Sequence, residues 1–234
     1  MSNLPLGLSR DQYHRYTWRT ETEQIGPLIG VTSVLKLQDV LIGGDLAAWG
    51  GRIAANYLFE NPAEGIPAAL RAVSAARDTG SAVHAQIEKI LRREDYTATP
   101  ETAPYVYAFA AFLAAERPEF LGVEQMVANL TYRYAGTFDF AARLRGRVAL
   151  VDVKTGKAKA SHRLQLAAYA AAEFIGREGD PEKYPLPHFR DFYVLLLRPD
   201  GYELVKQDVT AGDRRHFLNL VKAYQRIKEW ETAA

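Results

Sequence analysis

Arg147-Val-Ala-Leu-Val-Asp152-Val-Lys154-Thr-Gly156 is the stretch that decides the fold. Val148–Val151 is an unbroken apolar run, as expected of a strand buried on both faces. The run then gives way to Asp152 and Lys154, which share one face of a strand because side chains alternate with period two. One hairpin earlier lies Gly136-Thr-Phe-Asp139, with its aspartate between Phe138 and Phe140. Asp139 and Asp152 are thirteen residues apart across the Arg145-Gly146 link, so the two strands can bring them together. Two carboxylates in an apolar pocket call for a shared cation, and oxygen ligands suit Mg²⁺ or Mn²⁺. Such an ion, with the Lys154 ammonium beside it, could activate a water and screen a phosphate. The same spacing also fits an ordinary Asp152–Lys154 ion pair with Asp139 as a turn residue.

Outward from this hairpin, residues 121–134, 136–143 and 147–154 read as consecutive strands of an antiparallel meander, with links at Ala135-Gly136 and Arg145-Gly146. A helix is expected over 161–176, opened by Ser161 and closed by Gly176. A second hairpin, 189–198 with 202–209, surrounds the turn Pro199-Asp200-Gly201. Upstream, 12–19 and 25–34 read as short strands. A helix over 44–60 carries Leu46, Trp49, Ile53 and Tyr57 on one stripe. Residues 66–94 read as one long helix, or two broken near Thr79-Gly80, and 102–116 as another. The chain closes on an amphipathic helix over 211–231, with Phe217, Leu220, Val221, Tyr224, Ile227 and Trp230 on one face. The expected class is α/β (α+β), with a central mixed sheet flanked by helices. The expected division is an accessory lobe over 1–65, a core over 66–210 and a C-terminal helix over 211–234.

Composition narrows the chemistry. The chain of 234 residues is 48% hydrophobic, carries a net charge of only +1 and has no cysteine. Disulfides, thiolate zinc sites and iron–sulfur clusters are therefore excluded, and a reducing cytoplasm suits the chain. No signal peptide is read at the N-terminus. The longest charge-free apolar stretch, Thr102 to Ala115, is too short to span a bilayer. Charge is unevenly spread: residues 1–125 hold 11 Lys/Arg against 15 Asp/Glu, and residues 126–234 hold 18 against 13. Within 140–163 seven basic residues face a single acid, Asp152. A basic patch beside a metal site suits a polyanion, although protective charges on a hairpin edge would give the same run.

Two further features lie on helices. His84 and Glu88 are spaced i, i+4 and so share a helix face; the histidine can supply a nitrogen ligand. Gln165 and Tyr169 share another face, on the helix after Lys154. Ser161-His162 has no orienting acid in any serine-hydrolase arrangement. Thr155-Gly156-Lys157 lacks the upstream glycine of a phosphate-binding loop.

In this order, His84, Gly136-Thr-Phe-Asp139, Asp152-Val-Lys154 and Gln165-Leu-Ala-Ala-Tyr169 resemble the PD-(D/E)XK nuclease superfamily. The likeness is to its RecB-like and lambda-exonuclease-like branch of phage and CRISPR-associated exonucleases, and it covers about residues 77–170. The resemblance implies a restriction-endonuclease-like core. It implies Asp139, Asp152, His84 and the carbonyl of Val153 as metal ligands, and Lys154 as the catalytic lysine. Gln165 and Tyr169 would hold the DNA or the metal-site carboxylates, and Glu88 and Glu124 are auxiliary acids. This sequence departs from many relatives in having no iron–sulfur cluster, and in carrying aspartate where glutamate is commoner.

The function expected is a Mg²⁺- or Mn²⁺-dependent exonuclease acting on linear DNA in recombination, repair or phage replication. Arg143, Arg145, Lys157, Lys159 and Arg163 would grip phosphates. A recombination or replication protein would be a further partner, and no membrane is involved. The competing readings are a non-catalytic DNA-binding or assembly module on the same fold and a structure-specific endonuclease.

Overall fold

The structure is a computed structural model that describes residues 5–41 and 46–233. It is an α+β fold built on a mixed sheet of ten strands. In chain order the elements are β1 (Gly7–Arg10), β2 (Tyr16–Arg19), β3 (Gln24–Gly30), α1 (Val31–Leu41), α2 (Leu46–Glu60), α3 (Gly65–Arg92) and α4 (Ala103–Glu116). Then follow β4 (Glu119–Asn129), β5 (Tyr134–Leu144), β6 (Arg147–Lys154), α5 (Ala160–Ala170), β7 (Phe174–Arg177), β8 (Asp180–Tyr184), β9 (Asp191–Arg198), β10 (Gly201–Lys206) and α6 (Ala211–Ala233). No helix among the described residues is long and apolar enough to cross a membrane.

The expected meander is present as β4, β5 and β6, antiparallel throughout. β6 is also parallel to β9, and β10 pairs antiparallel with β9. The apolar run of β6 lies in the middle of this sheet. Leu150 faces a core shared with α1, α5 and α6, which includes Phe217, Leu220 and Val221. Ala149, Val151 and Val153 face the opposite core, built from Val83 and Ile87 of α3 and Phe109 and Phe112 of α4. Both faces of β6 are therefore dry, which explains the missing polar alternation.

The N-terminal strands join the same sheet. β1, β2 and β3 are antiparallel neighbours, and β3 runs parallel to β5 at Ile29–Tyr134 and Gly30–Ala135. On the other side β1 meets β8, β8 meets β7, and β7 meets β4. Because β4 also pairs with β5, these strands close into a ring. Its interior holds Leu8, Tyr16, Trp18, Leu28, Ala128, Ala135 and Phe174.

Several expected boundaries move, each for a physical reason. The helix expected over 161–176 ends at Ala170. The Asn129 amide donates to the Ala171 carbonyl, and the Glu173 carboxylate accepts the amides of Leu130 and Thr131. The chain is thereby tied to the β4–β5 turn and continues as β7 along β4. The strand expected over 25–34 stops at Gly30 and gives way to α1, whose Val31 and Val34 are buried. The link expected at Ala135-Gly136 lies instead at 130–133, and both residues are inside β5. The 66–94 segment is one unbroken helix, α3. The short strands β1, β7 and β8 are additional. Gly44 and Asp45, at the expected start of the 44–60 helix, lie outside the described residues, as do the side chains of Leu46 and Trp49.

Candidate metal centre and cavity

The β5–β6 ladder runs from Leu144–Arg147 to Phe140–Val151 and stops there. The next facing pair would be Asp139 and Asp152. Instead of a ladder bond, the amide of Val153 donates to Asp139 Oδ2. On this side of β5 the pairing with β3 covers only Tyr134 and Ala135, so 136–139 fall between the two partner strands. The alternation of β5 changes at the same point. Phe138 packs on Tyr169 and Phe189, whereas Phe140 packs on Phe112 from the other layer. Two residues that would face the same way in a regular strand thus face opposite ways. Opposite Asp139 on β4, Glu124 has φ +46°, between the pairs Val123–Phe140 and Gln125–Phe138. A non-glycine residue in the left-handed region costs about 1–3 kcal/mol, and strand irregularities of this kind re-aim side chains beside sites.

Three elements gather side chains at the break. From β6, Asp152 is 2% exposed, and Lys154 Nζ lies 2.7 Å from its Oδ2. The Lys154 ammonium is thus the charge partner of this buried oxygen, and among the described residues no other group donates to it. From α3, His84 Nδ1 stands 3.8 Å from Asp139 Oδ1. Glu88, one turn on, pairs with Arg92 at 3.0 Å. Gly80 lets α3 come this close, because a Cβ there would meet Thr155 Oγ1 at 3.1 Å. From α5, Gln165 Nε2 donates to Tyr169 Oη at 2.8 Å. The Tyr169 ring lies over Gly136, where a Cβ would come within 2.7 Å of its Cε1 and 3.0 Å of Val31 Cγ2. Gly136 is therefore a packing glycine beneath the site.

The electrostatics follow from burial and from crowded like charges. Burial pushes the Asp152 carboxyl up to about 7; Asp139 adds to this, and the Lys154 charge opposes it. Burial also disfavours the Lys154 ammonium, but Asp152, Asp139 and Glu124 together outweigh it and hold its pKa above the ordinary lysine value. Glu124 is pushed up to about 8, by burial first and then by Asp139 and Glu88. Burial holds His84 below the usual histidine value despite Asp139, which favours the uncharged imidazole that ligates metals. The Tyr169 hydroxyl is raised well above its ordinary value by burial and by Asp152.

The donor types, two carboxylates and an imidazole held toward its neutral form, are ones a divalent cation takes. Among the described residues, however, no three His, Asp or Glu side chains stand close enough together to hold a metal ion. Lys154 occupies the flank of Asp152 Oδ2, so the carboxylate would exchange this contact for an ion.

A cavity of about 1260 Å³ opens over the break. It is lined by His84, Glu88, Glu124, Asp139, Lys154, Gln165 and Tyr169, and also by Lys157 and Lys159. The other residues expected to grip phosphate are elsewhere. Arg143 pairs with Glu119 at 3.2 Å, Arg145 with Glu116 at 2.7 Å and Arg163 with Asp213 at 2.6 Å. None of these three lines the cavity. The basic run over 140–163 is thus not one patch, because most of its arginines are matched by acids distant in sequence. The cavity is instead completed by Arg10, His14 and Arg52 from the N-terminal region and by His162 of α5. These four are not legible from sequence: the first three come from segments whose place against the core depends on long-range pairing, and His162 has no partner acid nearby in sequence to mark it.

No family model matches the chain, and no curated protein matches it. A solved structure titled "Crystal structure of SSO0001" is similar over 85% of this chain and 75% of that chain, at 14% identity and a TM-score of 0.39. A likeness of this degree carries no argument.

Proposed function

We propose that this chain is a metal-dependent deoxyribonuclease that removes nucleotides from the ends of linear DNA. The observation that carries this reading is the break in the β5–β6 ladder. It gathers Asp139, Asp152 and Lys154, with His84 and the Gln165–Tyr169 pair beside them, under a basic cavity. These are the residues on which the resemblance to PD-(D/E)XK nucleases rests. The Asp152–Lys154 ion pair is present, but one ammonium answers Asp152, Asp139 and Glu124 together; crowded carboxylates short of positive charge are costly, and a divalent cation would supply it.

Asp139, Asp152, His84 and the Val153 carbonyl would hold Mg²⁺ or Mn²⁺, with Glu124 and Glu88 as auxiliary acids at the cavity wall. The bound ion supplies Lewis-acid activation of water and screening of the phosphate. Lys154 remains an ammonium at any working pH and stabilises the charge that develops on the phosphate oxygens. Lys157, Lys159, Arg10 and Arg52 take the backbone phosphates, a contact with little base specificity. Gln165 fixes the Tyr169 hydroxyl, and Tyr169 over Gly136 holds the β5 backbone that carries Asp139. Activity in recombination, repair or phage replication, in a bacterial or infected-host cytoplasm, is the setting this chemistry suits.

The test is degradation of end-labelled linear and covalently closed circular DNA, single- and double-stranded, in Mn²⁺, Mg²⁺ or EDTA. Metal-dependent loss of linear DNA alone supports the exonuclease. Cutting of circles moves the reading to an endonuclease, and binding without turnover to a DNA-holding module.

A further inference from the structure

His162 belongs to α5 but has no part in the reading above. The chain reaches the helix through Lys159 in extended backbone, φ −131° and ψ 156°. The first amides of a helix lack intrahelical acceptors. Here the amide of Lys159 donates to Nδ1 of His162, three residues on, at 3.2 Å. This is the reach-back half of a capping box, a place usually taken by glutamate or glutamine.

The contact determines the tautomer. A backbone amide can only donate, so Nδ1 must carry a lone pair, and in a neutral ring the proton resides on Nε2. The same contact excludes the doubly protonated ring, and burial, then the positive charges of Lys154 and Lys159, act in the same direction, depressing its pKa to about 3. His162 is 9% exposed, and it lines the cavity with Lys154, Lys157 and Lys159. With Nδ1 engaged by the backbone, Nε2–H is the donor this cavity-lining ring has left. A glutamate could cap this helix equally well but would set a negative charge among the phosphate-binding lysines. Histidine caps without charge and has an N–H left over.

We propose that His162 donates its Nε2–H to a phosphate oxygen of nucleic acid held in the cavity, next to the Lys154 ammonium. This rests on the nuclease reading for the identity of the ligand, and it adds a neutral, directional contact to a set of point charges.

The experiment uses the full chain in EDTA with a decathymidylate, followed by ¹H–¹⁵N NMR of the histidine side chains and by fluorescence anisotropy. His162→Gln keeps both a cap acceptor and an N–H donor; His162→Leu removes the donor without adding charge. Melting temperatures of the two variants verify that both fold. The expected results are an Nε2–H signal for His162 from pH 6 to 8 that shifts on adding the oligonucleotide, binding within about threefold of native for His162→Gln, and about tenfold weaker binding for His162→Leu. An Nδ1–H tautomer, no shift at saturation, no binding of the oligonucleotide, or native affinity in His162→Leu overturns the proposal. Cleavage in Mn²⁺ is scored separately. A shift without cleavage leaves the donor standing and removes the nuclease; cleavage without a shift does the reverse.

Discussion

The β5–β6 hairpin has two ends with similar residues and opposite designs. At the turn end the ladder is intact to Leu144–Arg147, and the charges are surface pairs: Arg145 with Glu116 at 2.7 Å and Arg143 with Glu119 at 3.2 Å. Exposed pairs of this kind contribute about 0–1 kcal/mol. At the other end the ladder stops, and acids crowd together: Asp152 and Glu124 are raised in pKa by burial and by Asp139, with the single Lys154 ammonium between them. A strand pair can end anywhere at little cost if its last residues are polar and wet. Ending it in a buried place on two aspartates is destabilising, and so marks a site.

The comparison is broken most directly at the open end. Asp152→Asn or Lys154→Ala should lower the rate of DNA cleavage by about 10²–10³-fold or more, measured under single-turnover conditions, with the circular dichroism spectrum unchanged. In the same series Mn²⁺ should raise the melting temperature of the native chain but not that of Asp152→Asn, because only a ligand bound to the folded state stabilises it.

Gly136→Ala attacks the floor beneath that end. The new methyl meets the buried Tyr169 and Val31 side chains, and overpacking should cost about 1–3 kcal/mol in urea unfolding. Since Tyr169 must shift, activity should fall as well.

Glu124 sharpens the comparison through pH. Its carboxyl is raised to about 8 in the folded chain, from an ordinary 4.5. Between these values the folded state holds a proton that the unfolded state has released, so its contribution makes stability fall as pH rises. Glu124→Gln removes this dependence. In EDTA the variant should match the native chain near pH 4.5 and exceed it by about 2 kcal/mol near pH 8, allowing for partial exposure. Equal unfolding curves at both pH values would show that Glu124 is not held in the crowded acid cluster.

At the turn end, Arg145→Ala should change stability by less than about 1 kcal/mol and leave cleavage within about twofold.

The same contrast explains what could be read from sequence. The hairpin was legible because its signals are local: an apolar run, then Asp152 and Lys154, with Asp139 between two phenylalanines one strand earlier. The helices α3, α4 and α6 were legible from length and periodicity. Strands β1, β7 and β8 were not, because four or five residues that include Gly, Asp and Lys become strands only through pairing with distant partners. Glycine usually marks a turn, so Gly136 reads as a link in the sequence; its actual reason, the Tyr169 ring, comes from a helix some thirty residues later. The arginines of 140–163 formed one patch in the sequence. In the fold they are divided among Glu116, Glu119, Asp191 and Asp213, while Arg10 and Arg52 arrive at the cavity from elements far upstream.

The central claim is that the open end of this hairpin, and not its closed end, cuts DNA with a metal ion. The most direct test is single-turnover cleavage of an end-labelled linear duplex in Mn²⁺ by the native chain, Lys154→Ala and Arg145→Ala side by side. The account predicts cutting slowed by about 10²–10³-fold or more in Lys154→Ala and cutting within about twofold of native in Arg145→Ala. Native-rate cutting by Lys154→Ala would contradict it.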